Sequence, residues 1–196
     1  MYEFSRLRKP SRVMKKSNVK WIIKITLISL VAAAVFALAS TEILGNTGYV
    51  ISFSILAAFV IIGIFFDVIG IAVTAANEAP FNSMATHRQY GALEALRLVK
   101  NAKIVTSYCN DVIGDVTGVV SGGAAALIAA RLMEGFNSET LIIPVVITAT
   151  VTAVTVGGKA IGKTLAFSKS TEIVLGVGKF FAFIRVKPFS KAEKKS

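Results

Sequence analysis

Four stretches of this chain are each long and apolar enough to belong in a bilayer: Trp21–Ser40, Tyr49–Ala76, Ala102–Leu132 and Leu141–Gly158. A helix that crosses the hydrocarbon core needs about 20 mostly apolar residues. In lipid the backbone must satisfy its own hydrogen bonds, so such runs become helices. Hydrophobic residues make up 54% of the chain, above the roughly 45–50% of soluble domains. The fold class this implies is an all-α integral membrane protein with four transmembrane helices.

The flanks of the runs set an orientation. Seven of the 22 basic residues lie in the first twenty positions, and nine more follow Gly158. The segment Asn77–Lys103 holds Arg88, Arg97, Lys100 and Lys103, whereas Thr41–Gly48 has no Lys or Arg and Met133–Thr140 carries Glu134 and Glu139. Basic flanks stay in the cytoplasm, so both termini are expected inside a cell membrane and the two short loops outside. The net charge of +11 is then that of membrane flanks in contact with anionic lipid. A basic surface interleaved through a soluble fold, as nucleic-acid binding requires, is missing from this pattern.

Two readings fit the first run. Its basic leader, apolar stretch and Ala37-Leu38-Ala39 before Ser40 suit a cleavable signal peptide. Its length and its twenty-residue leader suit a retained span. The organisation expected is a basic cytoplasmic tail (1–20), an additional span with its outer loop (21–48), a membrane domain (49–187) and a basic tail (188–196).

Two stretches suit helices lying at the cytoplasmic interface. In Ile173–Lys187 the apolar Ile173, Val177, Phe180, Phe181 and Ile184 recur at helical spacing, flanked by Lys179, Arg185 and Lys187. Ala92–Val99 has the same character, and packing against a soluble partner is the alternative for both.

Familiar chemistry is scarce. One cysteine, Cys109, and one histidine, His87, give neither an internal disulfide nor a zinc set. No Ser–His–Asp arrangement is recognisable, and an enzyme is not expected. Gly157–Thr164 reads GGKAIGKT and matches the phosphate-cradling G-x-x-x-x-G-K-T pattern. That motif requires a strand before it, a helix after it and a Walker-type acid in an α/β fold. Here it follows an apolar run and precedes only 32 residues, so no nucleotide is expected.

The informative residues are the polar ones inside the runs, because ionisable groups in lipid are expensive and face an interior. Asp67 lies in IGIFFDVIGIAV, and Glu78 follows eleven residues later, on the same face if the helix continues. Asp111 and Asp115 are four apart in YCNDVIGDVTG, stacked on one side of the third span. Lys159 closes the fourth span. Carboxylates and hydroxyls in this mixture suit hard cations such as Mg²⁺. Thr148, Thr152 and Thr155 make a stripe in line with Lys159. They either line a pathway or bond back to their own helix. Gly114, Gly118, Gly122, Ala126 and Ala130 form a ladder of small residues that permits close helix packing.

TAANEAPFNSMATHRQYGALEALRLVKNA (Thr74–Ala102) resembles the end of the first helix and the linker of the CNNM/CorC transmembrane domain. CNDVIGDV (Cys109–Val116) resembles that family's G-N-N-L-V-N-I segment, and the GGKAIGKTLA run resembles its G-E-I-I-P-K-T-L-A. The resemblance spans roughly residues 50–187. It implies a dimeric membrane domain associated with Mg²⁺ transport, without the cytoplasmic nucleotide-binding modules often attached to it. By position Asp111 and Asp115 replace two asparagines and Glu78 matches an acid. Lys159 stands where the family has glutamate, and a charged Lys offers an ion no lone pair. The function expected is transport of a divalent cation, Mg²⁺ first, with Asp111, Asp115, Glu78 and Asp67 as ligands and Lys159 as charge partner. The alternative is a non-transporting scaffold or regulator whose Asp/Lys cluster is structural.

Overall fold

A computed structural model of the chain describes residues 16–135 and 142–184. The basic leader up to Lys15, the residues around Glu139 in the second short loop, and the C-terminal Arg185 and Lys187 lie outside the described residues. Every regular element described is helical: α1 (Lys16–Asn46), α2 (Tyr49–Ala75), α3 (Glu78–Thr86), α4 (Ala92–Lys100), α5 (Ala102–Thr106), α6 (Asp115–Gly135), α7 (Ile142–Ser168) and α8 (Ser170–Phe183). Between α5 and α6, Ser107–Gly114 winds as a π-helix, so the third long run is one continuous rod with a wider turn inside it. Among the described residues four helical stretches are long and apolar enough to cross a membrane: 19–45, 49–75, 102–135 and 142–168.

The helices overrun the apolar runs that announce them. α7 continues to Ser168, so Lys159 lies inside a helix and does not close it. GGKAIGKT is likewise wholly helical. Its amide groups are committed to the helix ladder, with none gathered in a loop to cradle phosphate. The expectation for Glu78 is also corrected. Ala76 and Asn77 are extended, with ψ of 140° and 143°, and Asn77 caps α3 by accepting from the Ala79 amide at 3.3 Å. Glu78 therefore starts a new helix, where its charge favours the N-terminal dipole, and does not continue the Asp67 face.

α2 is the hub, packed against α6, α7, the π-helical segment, α5 and α8. α1 rests mainly on α6 and barely touches α2. Two apolar cores sit at opposite ends of the bundle. One gathers Leu44, Leu56, Ala124, Ala125 and Ile128. The other joins Ile69, Ala72 and Val73 to Phe81 and Leu98 and to Val174 on α8. At the first end Arg131 donates to Thr47 O at 3.1 Å and Tyr49 donates to Arg131 O at 3.3 Å, tying α6 to the α1–α2 link. At the second end Lys103 lies 5.2 Å from the centre of the Trp21 ring, holding the start of α1 near α5.

α3, α4 and α8 form a small layer at that second end. α8 closes onto α4 through glycine: a side chain at Gly178 would collide with Gly91 O, and one at Gly91 would lie 2.6 Å from the Lys179 amide nitrogen. Gly91 also has φ of 80°, a conformation glycine adopts without strain. The residues that α8 buries are thus Val174 and Gly178, with Ile173, Val177 and Phe181 half-buried beside them. Phe180, Phe183 and Ile184 remain exposed.

Candidate functional site

Between the two apolar cores lies an ion pair joining two of the membrane runs. Asp67 of α2 is 7% exposed, and its Oδ2 meets Lys159 Nζ of α7 at 2.8 Å. Eight residues separate Asp67 from Ala75, which at 1.5 Å per residue places the pair roughly 12 Å inside the helix end. Two oppositely charged groups are far better kept together at that depth than apart, since breaking such a pair leaves a bare buried charge.

Glycines let the surrounding backbones close on the pair. A side chain at Gly114 would collide with Asp67 Oδ1, and one at Gly70 with Asn110 Oδ1. Gly158 and Gly162 of α7 accept Ile64 and Val68 of α2 in the same manner. Gly63 receives Thr117, whose hydroxyl donates to Ile113 O at 2.7 Å. The Gly70 carbonyl is a junction, accepting from Thr74 and Thr106 at 3.0 Å each. These hydroxyls pin α2 to the start of the π-helical segment.

That segment shapes the rest of the site. The Asp115 amide donates to Asn110 O, a five-residue step in place of four. Asn110 Oδ1 is buried and has no hydrogen-bond partner among the described residues. Asp115 feels the charges of Lys159, Asp67 and Asp111. Two carboxylates, Asp67 and Asp115, therefore face one ammonium, and Asp67 holds it. Asp111 and Asp115 are exposed on the outer side of the rod.

The structure thus brings together Asp67, Asp115 and Lys159, with Asp111 beside them, and leaves Glu78 exposed on α3. Among the described residues no three Asp, Glu, His or Cys side chains form a metal-holding group. The threonine stripe divides: Thr148 bonds back to Pro144 O, Thr155 to Val151 O at 2.7 Å, and Thr152 is exposed. Of the ladder's three glycines only Gly114 meets another part of the chain closely. A Cβ at Gly118 or Gly122 would meet nothing within 4 Å. Sequence reasoning missed Gly63, Gly70, Thr74, Thr106 and Asn110. The seven-residue spacing of Gly63 and Gly70, on either side of Asp67, is the signal that marks them.

The fold and this cluster define an all-α protein whose four long apolar helices support a multi-pass membrane protein. Comparison with protein-family models, with curated proteins and with solved structures gives no match.

Proposed function

We propose that the chain is a non-transporting membrane scaffold or regulatory subunit, multi-pass in a cell membrane with both termini cytoplasmic. In this reading the Asp67–Lys159 pair fixes α2 against α7. The observation that carries it is the 2.8 Å contact itself: an ammonium tethered to the protein occupies the position a mobile cation would need beside Asp67. The back-bonded Thr148 and Thr155 add to it, because hydroxyls spent on their own helix offer a permeating ion little. The exposed Phe180, Phe183 and Ile184 on α8, near Lys169 and Lys179, suit contact with an anionic headgroup layer.

A second reading, transport of a divalent cation such as Mg²⁺ by a dimeric CNNM/CorC-like domain, is favoured by the surplus of carboxylate around Lys159. One experiment separates the two. Thermal unfolding of the purified protein is followed across an Mg²⁺ titration in wild type, Lys159→Ala and the double variant Asp67→Asn, Lys159→Met. The scaffold reading expects no response to Mg²⁺ and a loss of about 3–5 kcal/mol in Lys159→Ala. The double variant should lie near wild type, since a pair replaced by neutral groups leaves no bare charge. Saturable stabilisation of wild type by Mg²⁺, strengthened in Lys159→Ala, would replace it with transport.

A further inference from the structure

The outer face of α6 is unusual for a membrane helix. Asp111, Asp115, Gly122, Ala126 and Ala130 are all exposed along one side, with the half-exposed Gly118 among them. A carboxylate facing hydrocarbon at this depth is expensive, and among the described residues no cation lies within ion-pair distance of either acid. Lys159 is already held by Asp67 at 2.8 Å. Beside this face, α1 and α6 enclose a groove of about 700 Å³ whose α6 wall includes Val119, Gly123 and Ala126. Ser40 lines its α1 wall, is 4% exposed, and has a hydroxyl with no hydrogen-bond partner among the described residues.

Resting on the scaffold reading, we propose that this face and groove receive a single transmembrane helix of a partner protein, bearing one Lys or Arg that pairs with Asp111 and Asp115. Charge complementarity selects this occupant. A lipid chain would leave both acids in hydrocarbon, and a second copy meeting the same face by two-fold symmetry would bring four carboxylates together. The small residues set the distance of approach: with no Cβ at Gly118, Gly122 or Gly123, a partner backbone can come close, as small-xxx-small interfaces require. The ends of the interface fix a spacing. Ala126 stands eleven residues beyond Asp115, or roughly 16 Å along the helix. The partner therefore presents its basic side chain about three turns from the small or hydroxyl-bearing residue that faces Ser40.

The probe is a synthetic Leu/Ala helix of about 24 residues with a Gly-xxx-Gly stripe and one central Lys. Its energy transfer to the full chain, labelled at the C terminus, is measured in liposomes beside Lys→Leu and Lys→Glu versions. The Lys helix should bind about 5–30-fold more tightly than the Leu helix, and the Glu helix more weakly than either. The preference should vanish in Asp111→Asn, Asp115→Asn. All binding should fall in Gly122→Leu, which adds bulk where the chain itself has nothing within 4 Å and so keeps its fold.

Equal binding of the Lys and Leu helices, or a Lys preference that survives loss of both acids, overturns the proposal. So does self-association of the labelled chain that Gly122→Leu abolishes and the Lys helix cannot compete with, because the face then belongs to a second copy. Mg²⁺ stabilisation alongside an intact Lys preference would remove the scaffold reading and leave this surface standing. A flat Mg²⁺ response without Lys preference would remove the surface alone.

Discussion

α1 and α2 are of nearly equal length and hydropathy, yet they do opposite things. α2 buries Ser52, Leu56, Val60, Gly63, Asp67, Ile69, Gly70, Ala72 and Val73 along one long face. The best apolar window of α1 buries nothing by the same measure, and Leu27, Leu30, Val31, Val35 and Leu38 all face outward. In lipid an exposed leucine costs little, because the surrounding tails are as apolar as any protein core. Hydropathy therefore places a helix in the membrane and says nothing of its neighbours. What makes α2 the hub is the interruption of its apolar surface by two glycines and one acid.

This contrast can be broken in order of force. The largest change is loss of Lys159, described above. Next is Gly114→Val, which drives a side chain into Asp67 Oδ1. Overpacking of this kind costs about 1–3 kcal/mol, read as a fall in unfolding temperature, while Gly118→Val on the same rod should leave it unchanged. Equal effects of the two would mean that α6 does not pack as described. Thr106→Val removes one of the two hydroxyls on Gly70 O and should cost about 0.6 kcal/mol, the average for such bonds in membranes. A much larger loss would make the hydroxyl junction, and not the ion pair, the principal clasp. Smallest is Leu30→Ala in α1, expected within about 0.5 kcal/mol of wild type. A loss near that of a buried leucine would show that α1 is covered in the native membrane.

The long helices were legible because each apolar run exceeds what a soluble fold of this size would use, and because charge falls so neatly between them. Their ends were less so. Polar residues such as Lys163 and Thr164 prolong α7, since helix propensity does not stop where hydrophobicity does. Asp67, Asp115 and Lys159 stood out singly as polar residues in apolar runs. Which acid takes the lysine could not be read, because 92 positions separate Asp67 from Lys159 and the choice depends on how α2 and α7 are rotated. The eleven-residue step from Asp67 to Glu78 misled because periodicity assumes an unbroken helix, and Asn77 breaks it by capping a new one. Nothing in YCNDVIGDVTG announces a wider turn.

That wider turn carries a consequence for how the chain tolerates change in length. A π-helical stretch holds surplus residues relative to an α-helix of the same rise, so Ser107–Gly114 can lose one position and close into regular winding. The rod would survive such a deletion. Because the residue shed is the surplus one, Asp115 and the bare glycine face of α6 would stay close to their present facing, whereas the same deletion inside regular α6 would turn everything beyond it by about 100°. A single-residue deletion in these eight positions would therefore keep both the helix and the arrangement, which makes the segment the place where the third long run absorbs a change in length.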